Sequence, residues 1–258
     1  MALFESGNPT LSEKIFNRSL ENADSGVMTV RGSMAKFGFL LLMVIAGAAY
    51  TWSLYSQSIL SQDISKVMTF MWIGIIGGLI TALIISFKPT TAKYLAPVYG
   101  ILEGFFIGAV SAILNDAFAK AYPGIVLQAV GLTLAVALGM FLLYNFRIIK
   151  PTQRFKSIVI SATMGVALFY LIALVLRMFH VDLPFMYNSS ALGIGISLVI
   201  VAIAALNLIL DFDMIEQGAE MGAPKHMEWY CAFGLLVTIV WLYIEILKLL
   251  SRFANNRN

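Results

Sequence analysis

The chain has 258 residues and a net charge of +3, and it is 60% hydrophobic but only 12% charged. Soluble globular chains are about 45–50% apolar and about 25% charged, so a water-soluble domain is excluded. No basic stripe interleaves with aromatics, so no nucleic-acid partner is expected, and one cysteine, Cys231, excludes an internal disulfide framework and a cysteine-based zinc site.

Residues 1–33 form a polar tail of mixed charge with no apolar core and no cleavage signature. No removable leader is expected there, and the first apolar span itself should direct insertion. Beyond it, the windows 37–55, 67–87, 121–146, 157–176 and 183–210 contain no Asp, Glu, Lys or Arg. Stretches of about 20 such residues match the hydrocarbon thickness of a bilayer. Seven spans are predicted, near 36–56, 67–87, 93–115, 124–144, 156–177, 190–210 and 229–250. They are continuous and longer than the roughly ten residues of a barrel strand, which favours helices. The expectation is an all-α membrane protein, with one seven-helix domain over 34–253 and a short tail at 254–258.

Lys and Arg near span ends indicate sidedness. Nine lie on the side of the N-terminus, Arg147, Lys150, Arg154 and Lys156 among them, against six on the other. A cytoplasmic N-terminus is expected, and the side of the C-terminus stays open.

Small residues recur every fourth position in three spans: Gly74, Gly78 and Ala82; Gly100, Gly104 and Gly108; Gly131, Ala135 and Gly139. Such ladders let helix backbones approach closely where the hydrophobic effect cannot drive association. Tight packing within the bundle is predicted for all three.

The residues that carry chemistry are acids in apolar surroundings. Glu103 interrupts the third span, with Tyr99 and Ser111 at helical spacing. An ionised acid at a helix centre costs roughly 2.5–3.5 kcal/mol, so it should face the protein interior; its plainer reading is a neutral, hydrogen-bonded structural group. Glu245 shares a stripe with Thr238, Trp241, Lys248 and Arg252, expected to point inward; alternatively it simply pairs with Lys248 at i,i+3. Asp211 and Asp213 point about 200° apart on a helix, so only one is expected to face the interior. Asp213, a secondary candidate, reads more simply with Glu216, Glu220 and Glu228 as a solvated acidic loop. His180 and His226 fall in loops on opposite sides, so no metal site is expected. With no His inside any span and no phosphate-binding glycine loop, no enzyme is expected either.

An acid closing span six in "ILDFDMIEQG" and an acid inside span seven in "WLYIEILKLL" resemble the Bax inhibitor-1 family of membrane proteins. The family's aspartate followed four residues later by isoleucine is matched by Asp211 and Ile215, and its acid after a tyrosine–aliphatic pair by Tyr243, Ile244 and Glu245. "MTVRGSMAKFGFLLLMVIAGAAYTW" (28–52) and "EWYCAFGLLVTIVWLYIEILKLL" (228–250) look like the bacterial branch, and the likeness runs from about residue 28 onward.

The resemblance implies a seven-helix bundle with the C-terminal helix central, in a bacterial inner membrane. It also implies a pH-sensitive calcium leak whose sensor acids would be Asp211 and Glu245. Calcium and protons would be cargo, with no cofactor. Glu245 stands where better-known relatives carry aspartate. With the hairpin midpoint near residue 222, Asp211 and Glu245 differ in depth by roughly 18 Å, which keeps Glu103 open as the alternative partner of Glu245. The competing reading is a non-transporting regulator that binds a membrane protease or stress-response partner.

Overall fold

The computed structural model describes residues 26–181 and 190–255. Among these it contains seven helices long and apolar enough to cross a membrane. They are α1 (Val30–Ser61), α2 (Ser65–Phe87), α3 (Ala92–Ala117), α4 (Ile125–Asn145), α5 (Gln153–Met178), α6 (Ala191–Glu220) and α7 (Met227–Asn255). No strand occurs among the described residues; one isolated antiparallel bridge joins Val27 to Pro224. The protein is therefore an all-helical, multi-pass membrane protein.

Local chemistry sets the helix ends. Thr29 caps α1 by accepting the Gly32 amide at 3.0 Å, and Thr152 caps α5 by accepting the Phe155 amide at 3.3 Å. Asp63 accepts the Ser65 amide at 2.9 Å where the chain re-enters as α2. Pro89 opens a 3₁₀ turn over Pro89–Thr91, where its missing N–H costs nothing, and α3 follows directly. Gly222, at φ +71°, supplies the left-handed residue that ends α6.

α6 and α7 differ most from expectation. The apolar run of span six stops at Leu210, yet the helix continues for ten residues to Glu220. Asp211, Asp213 and Glu216 are therefore helical, not part of a loop. α7 is the most buried helix, with 72% of its apolar window covered, against 6% for α5.

The chain divides into two compact units. In the first, whose described part is residues 26–117 and 213–237, α1 and α2 both pack on α3. Two of the predicted glycine ladders act there. A Cβ on Gly104 would overlap the Val44 carbonyl oxygen, and one on Gly74 would come within 2.5 Å of the Leu102 carbonyl oxygen. These backbones touch because the side chains are absent.

The same unit holds the N-terminal segment down. Met28 donates its amide to the Ala223 carbonyl at 2.7 Å, and Lys225 donates to Gly26 at 2.9 Å. Glu228, in the first turn of α7, is fully buried and accepts from the Thr29 amide at 2.9 Å and the Thr29 hydroxyl at 3.0 Å. It is ion-paired to Lys36, and to Lys225 at 3.0 Å. Gly32 leaves the room this carboxylate needs, since a Cβ there would overlap it. Glu228 is thus a buried clasp, which corrects its reading as a solvated loop acid.

The second unit, described over residues 118–181, 190–212 and 238–255, contains α4, α5, most of α6 and the C-terminal part of α7. Here the third ladder departs from expectation: a Cβ on Gly131 or Gly139 would meet no atom within 4 Å. Among the described residues, those glycines mediate no close packing.

Candidate functional site

The acids singled out by the sequence fall in both units. Glu103 and Asp213 belong to the first, Asp211 and Glu245 to the second.

Glu245 sits on α7 with 2% of its surface exposed. The Tyr170 hydroxyl, from α5, donates to its Oε1 at 2.9 Å. The Lys248 ammonium, one turn later on α7, reaches the same oxygen at 3.0 Å and lies 4.9 Å from the centre of the Tyr170 ring. The i,i+3 pairing anticipated for Glu245 and Lys248 is therefore present, with a second helix added. A carboxylate stripped of water needs such donors, because its desolvation is otherwise uncompensated. The expected inward stripe is only partly inward. Thr238 and Glu245 are buried, whereas the Lys248 side chain is 45% exposed.

Asp211 on α6 is fully buried. One turn earlier on the same face is Asn207, itself 2% exposed. The Asn207 amide donates to the Thr163 hydroxyl of α5 at 2.7 Å and to the Ile203 carbonyl at 2.8 Å. Phe212, the next residue along, packs edge-on against Phe141 of α4, with centroids 5.5 Å apart. Asp211 thus lies at a level where α6 is held by polar and aromatic contacts from its neighbours.

Asp213 is 6% exposed and accepts from Gln217 at 2.6 Å. Since Asp211 and Asp213 project to opposite sides of α6, both sides of the helix are covered at this level. Only one of the two was expected to face the interior, the other turning toward headgroups, a loop or another helix; since both are buried, headgroups and a loop are ruled out and another helix is not.

Glu103 is half-buried on α3. Tyr99, one turn before it, is its side-chain hydrogen-bonding neighbour. Its Oε2 faces Gly78 of α2, at 3.3 Å from where a Cβ would stand. The small residue of the ladder makes room for the acid. Tyr99 in turn packs edge-on against Phe233 of α7, with centroids 4.9 Å apart.

Three participants were not singled out by the sequence: Tyr170, Asn207 and Thr163. Asn207 carried a usable signal, a lone amide in an apolar run four residues before Asp211. Tyr170 carried none, because only the tertiary fold brings it to Glu245.

The arrangement offers carboxyl groups shielded from water on helices of membrane-spanning length. Glu245, Asp213 and Glu103 are each held by one or two hydroxyl, amide or ammonium donors whose rearrangement would accompany any change in charge. No curated protein and no solved structure matches the chain. A family model described as Bax inhibitor 1 like matches residues 8–255, nearly the full length. The agreement of that match with seven membrane-length helices, an acid at the level of Asp211 and another at Glu245 leads to one assignment: the chain belongs to the Bax inhibitor 1 like family.

Proposed function

We propose that the protein is a proton-modulated cation leak, with calcium as the conducted ion, Asp211 and Glu245 as its pH sensor and Glu103 as a lining group. The observation that carries the reading is the burial of two carboxyl groups, Asp211 at 0% and Glu245 at 2% exposure, inside membrane-length helices. Taking up or releasing a proton in such a place changes the charge where little solvent screens it. Each protonation state then favours its own packing of α6 and α7. Loss of the proton adds a negative charge, repels other carboxylates and creates an oxygen ligand for a hard cation. Lys248 is the movable partner. It already reaches Glu245 from a partly exposed position, and an arriving cation would displace its ammonium.

In this reading the protein needs no prosthetic group and performs no covalent chemistry. It sits in a bacterial inner membrane with its N-terminus in the cytoplasm. The test is flux: purified protein is reconstituted in liposomes with an internal calcium dye and followed across a pH series. Asp211→Asn and Glu245→Gln should each change the flux or its pH profile. If both variants leave the two unchanged, the proposal fails.

A second reading, a regulator that binds a membrane partner, draws on the uncovered Gly131 and Gly139 of α4. It predicts that Gly131→Leu abolishes partner recovery in a pull-down from membranes, whereas neutralising the acids does not. Gly78 and Gly104 do not serve this purpose, because enlarging them perturbs the chain's own packing.

A further inference from the structure

We infer that the protein holds an anionic phospholipid, its phosphate in a cationic pocket formed by the ends of α5, α6 and α7 and one acyl chain in the adjoining groove between α5 and α6. The inference stands apart from the calcium reading, since it rests on a cavity and not on the buried acids.

The headgroup end is a cavity of about 380 Å³. Its polar lining includes Tyr170 and, from the last turn of α5, Arg177, with Ser197 from α6 and Lys248, Ser251, Arg252 and Asn255 from the end of α7. Three cations line it, and the carboxylate beside them is Glu245, bonded to Lys248. Arg252 also donates to the Gly193 carbonyl, which fixes its guanidinium at the first turn of α6. Guanidinium groups, hydroxyls and an amide gathered in one cavity form the donor set that phosphate oxygens take.

The groove end has the opposite chemistry. It measures about 610 Å³, and Phe169, Ile196 and Ile200 line it and the cavity alike. Its other walls are Ala162, Gly165 and Val166 on α5 and residues of α6 such as Gly195 and Val199, all without polar side chains. A Cβ on Gly165 or Gly195 would meet nothing within 4 Å, so the glycines leave the channel open.

Position along the helices orders the two halves. Arg177 lies one residue from the end of α5, while Ala162 to Phe169 occupy its middle. Donors for an anion sit at the edge of the span, and the apolar trough runs from there toward the span centre. An inorganic phosphate would use only the first half and a neutral lipid only the second. An anionic phospholipid uses both.

The full chain in mild detergent is incubated with dioleoyl-phosphatidylglycerol, dioleoyl-phosphatidylcholine or inorganic phosphate, and retained molecules are counted by native mass spectrometry. The wild type should retain phosphatidylglycerol over phosphatidylcholine by about tenfold, because only the former brings a net negative charge to the three cations of the lining. Arg177→Gln should weaken phosphatidylglycerol by about fivefold and leave phosphatidylcholine unchanged. Gly195→Leu fills the groove without touching a charge and should weaken phosphatidylglycerol as well. Gly165→Leu replaces it if the first variant does not fold. Equal retention of the two lipids overturns the inference, as does wild-type retention in both the charge and the groove variants. Displacement of the lipid by millimolar inorganic phosphate, with no effect of Gly195→Leu, would make this a phosphate site and also overturn it.

Discussion

The Tyr170 hydroxyl of α5 and the Lys248 ammonium of α7 converge on the same oxygen of Glu245, at 2.9 and 3.0 Å. One buried acid is thereby tied to a neighbouring helix and to its own. A hydrogen bond to a charged group contributes about 1.5–3 kcal/mol, and Tyr170 is half-buried, which argues for the lower end. Tyr170→Phe should therefore destabilise the protein by about 1–2 kcal/mol in detergent unfolding. In the Glu245→Gln background the same change should cost measurably less. An equal cost in both backgrounds would mean that the contact carries no energy.

Glu228 gives the largest single-residue prediction. Its carboxylate is fully buried and paired to Lys36, whose side chain is 18% exposed. Removing one partner of a buried pair costs about 3–5 kcal/mol, because the other charge is left uncompensated. Glu228→Ala should fall near the lower end, as Lys36 retains some access to water. Gly32→Ala should also destabilise, since its methyl overlaps the carboxylate. Combined with Glu228→Ala, it should cost less than in the wild type, which a double-mutant cycle by thermal unfolding would check.

The glycine ladders separate by position. Gly104→Ala sets a methyl against the Val44 carbonyl and should cost about 1–3 kcal/mol, the usual range for overpacking. Gly139→Ala meets open space and should be neutral or stabilise by up to about 1 kcal/mol, through better helix propensity. Melting temperatures that move alike for both variants would contradict the packing described for α1 and α3.

Those ladders also mark how far the sequence could be read. Charge-free windows of bilayer length located five of the seven helices, and apolar runs broken only by Glu103, or by Glu245 and Lys248, located α3 and α7. Small residues at four-residue spacing located two real helix contacts, but Gly131 and Gly139 have the same pattern and no close contact among the described residues. Spacing reports what a face permits, not what covers it. Polarity alone places the end of α6 near Leu210, whereas Asp211 to Glu220 stay helical, with Asp211 and Asp213 buried. Glu228 read as solvated for the same reason: Thr29 and Lys36, about two hundred residues earlier, supply its partners. Tyr170 was invisible on similar grounds.

His226, in the turn between α6 and α7, gives a pH dependence outside the spans. Burial, with the Lys93 ammonium nearby, holds its imidazole below the ordinary value of 6.5. The unfolded chain then takes up the proton first as pH falls. Its contribution to stability is complete above the unfolded value and is lost as pH drops through it toward the folded one. Thermal stability should decline over that window, and His226→Gln should flatten this part of the profile. An unaltered slope in the variant would assign the decline to other groups.

The central claim is that proton occupancy of the Asp211 and Glu245 carboxyl groups sets the conducting state. Difference infrared spectroscopy of the protein in bilayers reads the carbonyl stretch of a protonated carboxyl group directly, alongside calcium flux through the same pH series. A protonated-carboxyl band that disappears over the pH range in which flux changes, and that is missing from the Asp211→Asn/Glu245→Gln double variant, is the predicted result. Flux that titrates with no change in that band, or that keeps its pH profile in the double variant, would contradict it.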